Sequence, residues 1–185
     1  MSAASRHDDG GANAPPPPLP EELHEAVLRN TAFRRVLHTD RRVPGAHTQL
    51  VAMCVRDDTG TEAHARTAQY FLVKDGRGTL ELARRATARD VAERDRCVLQ
   101  RASDDDGGGG GGDVLVRVTH SVPVQPGSAW LVEPGTYHNV RAEPRRGAPP
   151  LRLLTVYYPP HHPDTRVDTT HEAARARERA AATSR

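Results

Sequence analysis

From residue 33 onward the chain is written in short β-type runs separated by turn residues. The runs are Phe33 to Leu37, Gln49 to Val55, Ala63-His64, Tyr70 to Val73, Thr79 to Leu82, Val114 to Thr119, Trp130 to Val132, His138 to Arg141 and Leu151 to Tyr157. Turn signals stand between them at Asp57-Asp58-Thr59-Gly60, Lys74-Asp75-Gly76, Pro126-Gly127 and Glu133-Pro134-Gly135. Many short strands at near-regular spacing predict an all-β sandwich, barrel or jelly roll. Ahead of them, Leu23 and Val27 recur at helical spacing behind Pro20-Glu21-Glu22, which predicts a short helix ending near Asn30.

The rhythm breaks between Ala83 and Gly112. An Arg/Ala-rich stretch, with a weak helix over Arg84 to Glu93, leads to Asp104-Asp105-Asp106 and six glycines. This reads as a flexible insertion at 83–113 within one domain, because loop length carries a small entropic cost. Cys97-Val98-Leu99 are expected to extend the neighbouring hairpin. Residues 1–20, with Pro15 to Pro18, are expected to form a disordered arm, 21–170 the domain, and 171–185 a solvent-facing helical tail.

Composition narrows the partners. With 185 residues there is room for one ordinary domain. Net charge is +2, from 26 basic and 24 acidic residues spread along the chain, so no basic stripe marks a nucleic-acid partner. No apolar run approaches the ~18 residues of a membrane span. Cys54 and Cys97 are far apart and form neither a disulfide framework nor a cysteine metal site. The expectation is a cytoplasmic protein with a small-molecule ligand.

The candidate chemistry lies in two segments. Glu62 and His64 stand two apart, so on a strand they face the same side. After four intervening residues Gln69 opens the next strand and returns an oxygen donor beside them. In the second segment His138 follows the Pro134-Gly135 turn and can face the same interior.

These segments resemble the paired motifs of the cupin superfamily. The first keeps the H-x-H, E, G spacing as Glu62-x-His64, Gln69 and Gly76; the second keeps the G, P-x-G-x-x-H spacing as Gly127, Glu133-x-Gly135-x-x-His138. Three identities differ: Glu62 stands for the first histidine, Gln69 for the usual glutamate and Glu133 for the usual proline. Asn30-Thr31-Ala32-Phe33-Arg34-Arg35-Val36-Leu37, Gln69-Tyr70-Phe71, Gly135 to Val140 and Tyr157 to Pro163 are similar to the small single-domain cupins described as mannose-6-phosphate-isomerase-like. The subgroup's aspartate before the glutamine is Ala68 here.

The resemblance implies a cupin double-stranded β-helix, a jelly-roll barrel with one divalent metal at its mouth, held by Glu62, His64, Gln69 and His138. Iron, manganese, nickel and zinc all stay open. It implies a metal-binding, isomerase-like cupin acting on a small polar metabolite such as a sugar or sugar phosphate, with an iron-dependent dioxygenase and a non-catalytic metabolite-binding cupin as the alternatives. Phe71 and Tyr137 are candidate substrate-binding residues, against a plain core role for aromatics on strands. Gln69 has a second-shell alternative, as a partner orienting His64. His161-His162 are expected in solvent, with a place overhanging the pocket as the alternative, and Arg34, Arg35 and Arg152 on a charged outer face, with a hold on an anionic substrate as the alternative. A homodimer paired through Phe33 to Leu37 is expected as well.

Overall fold

Strands form here where alternate residues find an apolar interior. Along Leu151–Tyr158 every second side chain from Leu151 to Tyr157 is buried, and the intervening ones are half-buried or exposed. The computed structural model describes residues 20–42, 45–105, 113–143 and 147–183; the proposed N-terminal arm, apart from Pro20, and the glycine run lie outside them.

The elements are α1 (Pro20–Arg29), β1 (Arg34–Asp40), β2 (Thr48–Val55), β3 (Thr61–His64), β4 (Ala68–Asp75) and β5 (Gly78–Arg85). Then come α2 (Ala88–Ala92), β6 (Leu99–Asp105), β7 (Asp113–Val124), β8 (Ala129–Val132), β9 (Tyr137–Ala142), β10 (Leu151–Tyr158), β11 (Val167–Asp168) and α3 (His171–Thr183). One sheet runs β11-β1-β2-β10-β4-β8. In the other, β3, β9, β5 and β7 are neighbours in that order. Strands consecutive in the chain from β2 to β5 alternate between the sheets, and so do β7 to β10. That is the strand order of an eight-stranded jelly roll.

The space between the sheets is filled by Val51, Met53, Val55, Phe71, Val73, Leu80, Val140, Leu151 and Leu153, all nearly inaccessible to water. Full burial of side chains of this size is worth roughly 1.5–3 kcal/mol each. Gly76 shows why a motif glycine is needed: its φ is +80°, and a Cβ there would lie 2.6 Å from the Pro150 carbonyl oxygen. The turn from β4 into β5 therefore passes against the chain entering β10.

The insertion differs from its expected form. Its Leu99–Asp105 segment is a strand, β6, pairing antiparallel with β7 and parallel with β3, and this closes the second sheet into a ring. Parallel pairing needs a long crossover, which β4, β5 and α2 supply. Ala63, Ala83, Ala102, Val116 and Tyr137 fill the ring as a second small core. The expected helix over Arg84 to Glu93 is shorter, Ala88–Ala92, because Arg84 and Arg85 complete β5. Thr87 and Asp90 form its capping box. Asp90, 3 % exposed, also accepts from Arg84 (2.7 Å) and Arg117 (2.6 Å).

Three other expectations are corrected by burial. The tail helix does not only face solvent, since Ala174 joins the main core and His171 stacks on Phe33 at 5.0 Å. Arg34 is not on an outer face; it is buried, 3.9 Å from the fully buried Asp168, whose carboxylate also takes Arg166 and Arg177. His162 is buried rather than solvated. No helix among the described residues is long and apolar enough to cross a membrane.

Candidate metal centre

Both sheets contribute to one end of the jelly-roll interior. From the second sheet, β3 brings Glu62 and His64, and β9 brings His138 directly opposite Glu62 in register. From the first, β4 brings Gln69 and β10 brings Tyr157, also a registered pair. Alternation decides which residues of β3 and β9 reach this interior. Glu62, His64 and His138 point between the sheets, while their neighbours Ala63 and Tyr137 point into the second core.

One ligand atom from each of Glu62, His64 and His138 lies within 4.8 Å of the others. Glu62 Oε1 is 3.5 Å from His64 Nε2, and the two imidazole rings meet at 5.6 Å and 63°. Gln69 joins them, its Oε1 2.7 Å from His138 Nε2. His64, Gln69 and His138 are each at most 5 % exposed. All four residues expected from the motif are thus brought together.

The outer contacts aim these donors. His138 Nδ1 lies 2.9 Å from the Thr136 carbonyl oxygen and donates to it, which turns the Nε2 lone pair toward the cluster. Gln69 Nε2 donates to the Tyr157 hydroxyl at 3.1 Å, which turns its oxygen the same way. Burial pushes the His138 imidazole below its ordinary value, against the pull of Glu62 and with the help of His64, so the neutral, ligand-competent form is favoured. Burial raises the Glu62 carboxyl, but His64, with Arg34 and His138 behind it, outweighs this and holds it well below the usual carboxylate range.

This donor set fits a divalent cation. His138 Nε2 and Gln69 Oε1 are both acceptors in this arrangement, and two lone pairs at 2.7 Å repel unless a positive charge lies between them. Two imidazoles, one carboxylate and an amide oxygen suit iron, manganese, nickel or zinc.

The candidate substrate residues are placed elsewhere. Phe71 is fully buried in the main core, and Tyr137 lies in the second core, where its hydroxyl accepts from Arg85 Nε at 3.0 Å. Three residues near the cluster were not assigned to it from the sequence. Tyr157 holds Gln69, and its place on the inner face of an alternating strand was the signal. His161 lays its ring 4.3 Å from that of His64. His162 receives Arg34 Nη1 at its Nδ1, 3.4 Å away, and burial together with that guanidinium pushes its imidazole far down.

No family model matches the chain. The uncharacterized protein YrkC of Bacillus subtilis is 28 % identical over 159 residues, which are 85 % of this chain and 64 % of YrkC. The chain therefore spans less than two thirds of that relative's length. The crystal structure of BH2720 from Bacillus halodurans is 28 % identical and superposes with a TM-score of 0.60 over 87 % of this chain and 96 % of that one. The fold is an eight-stranded jelly-roll barrel. A looser likeness to ectoine synthase from P. lautus, 12 % identical with a TM-score of 0.41 over 80 % of this chain and 75 % of that one, bears on no chemistry here. The functional reading of this jelly-roll barrel rests on its own residues.

Proposed function

We propose that this protein binds one divalent metal ion through Glu62, His64, His138 and Gln69 and acts there on a small polar metabolite. The substrate class is a sugar or sugar phosphate of the kind handled by mannose-6-phosphate-isomerase-like cupins, and the reaction an isomerisation or related proton transfer. The observation that carries the reading is the convergence of three ligand atoms from two strands within 4.8 Å, on side chains largely shielded from water. A divalent ion bound there supplies Lewis acidity toward a carbonyl or enediolate oxygen. The chain's own part is to neutralise charge with Glu62, to present the neutral imidazole of His138 beside the ring of His64, and to keep bulk water away with the Tyr157 and His161 rings beside them.

Metal analysis of the purified protein tests this. About one equivalent of a divalent metal is expected in the wild type and little in His138→Ala. A wild type that takes up no iron, manganese, nickel or zinc on incubation sinks the reading. The donor set of two imidazoles and one carboxylate also favours a second reading, an iron-dependent dioxygenase. Oxygen consumption by iron-loaded protein in the presence of substrate separates the two.

A further inference from the structure

A carboxylate has two equivalent oxygens, whereas an amide has one oxygen and one amine. Only the oxygen can serve a cation. Where cupins commonly carry a glutamate this chain carries Gln69, so one face of its side chain is right for a metal and the other is wrong. Turned over, the amide would donate to His138 Nε2 and fill the centre with N–H groups. The orientation present, Oε1 toward His138 and Nε2 away from it, places the amine end in a buried region where it needs an acceptor.

Tyr157 is that acceptor. Its hydroxyl lies 3.1 Å from Gln69 Nε2, the two residues sit opposite each other across β4 and β10, and Tyr157 is 1 % exposed. Its ring packs edge-on against His64 at 5.8 Å, so it cannot swing away without disturbing the centre. We infer that Tyr157 is a positioning residue of the metal centre, acting through Gln69: it receives the amine end and so keeps the amide oxygen available to the ion. The inference rests on the metal-binding reading above and adds a role for the amide that stands where cupins commonly carry a glutamate.

The experiment is a four-protein cycle of wild type, Tyr157→Phe, Gln69→Glu and the double variant. Manganese and zinc affinities are read by chelator competition, and the thermal midpoint is measured without metal. Tyr157→Phe keeps the ring and its packing and removes only the hydroxyl. We expect it to weaken metal binding by about 10-fold, the low end for loss of a residue that orients a ligand. In the Gln69→Glu background either oxygen can face the ion, so the same change should cost less than about 2-fold. An equal penalty in both backgrounds, or none in either, overturns the inference. A wild type that binds neither metal overturns the proposed function instead, and a metal-free midpoint near wild type for Tyr157→Phe separates positioning from general loss of structure.

Discussion

Glu62 and Asp90 are both poorly exposed carboxylates held below their ordinary pKa, yet their surroundings make them opposite things. Asp90 meets two guanidiniums, a threonine hydroxyl and a backbone N–H, so its oxygens are fully engaged by permanent donors. Glu62 faces His64 at 3.5 Å, with His138 and the Gln69 oxygen close by. Arginine cannot give up its charge and closes a site; histidine can, and leaves a lone pair in its place. One carboxylate ties the insertion to β5 and β7, and the other is left beside ligands.

The contrast is tested first, and most severely, by removing a histidine. His138→Ala should weaken binding of divalent metal by more than about 100-fold, since loss of a ligand exceeds loss of the groups that orient one. Calorimetric titration checks this. Asp90→Ala should do the reverse, lowering the thermal midpoint by several degrees while metal stoichiometry stays that of the wild type. If Asp90→Ala abolished metal binding in a folded protein, the two regions would not be independent.

Gln69→Glu adds a second carboxylate to the Glu62 side and should tighten divalent metal binding by about tenfold, worth ~1.4 kcal/mol. Chelator competition reads it, and a weaker site would exclude Gln69 from the ligand set.

Acid separates the two regions again. His138 and His162 are held below their ordinary value of 6.5 when folded and regain it when unfolded. Below pH 6.5 the unfolded chain therefore binds more protons, and stability falls as pH falls, by up to about 1.4 kcal/mol per pH unit for each histidine kept neutral. Asp90 contributes stability that is present above its ordinary value of 3.8 and lost only as pH drops further. Denaturant midpoints of metal-free protein should thus decline between pH 7 and pH 5, and a flat profile would contradict the neutral, buried histidines. Tyr137→Phe is the mildest test. It removes the acceptor of Arg85 in the second core, costs about 1 kcal/mol or less, and should leave metal affinity unchanged.

Much of the jelly roll was legible in the sequence because β-alternation and turn chemistry are local. Each of the nine expected strand runs overlaps an observed strand, and α1 spans Pro20–Arg29. Only the start of β6 was legible, in the expected extension of the hairpin by Val98 and Leu99; Gln100, Arg101 and Ser103 show no apolar alternation, and the rest of the strand is placed by backbone pairing with β3 and β7. Arg34 and His162 read as surface residues for a similar reason. Arg34 is buried where it meets Asp168 and His162, both more than a hundred residues away in the chain.

By itself the sequence determined that Glu62, His64, Gln69 and His138 would stand at fixed spacings on strand ends, because a strand's two-residue period and a Pro-Gly turn are written in neighbouring residues. Only the tertiary structure decided that they form one cluster, that Tyr137 beside His138 belongs to a different core, and that Tyr157 and Thr136 aim the donors. Those facts arise from the register between strands distant in the chain. Register is set by the packing of both sheets at once, and no local stretch of sequence contains it.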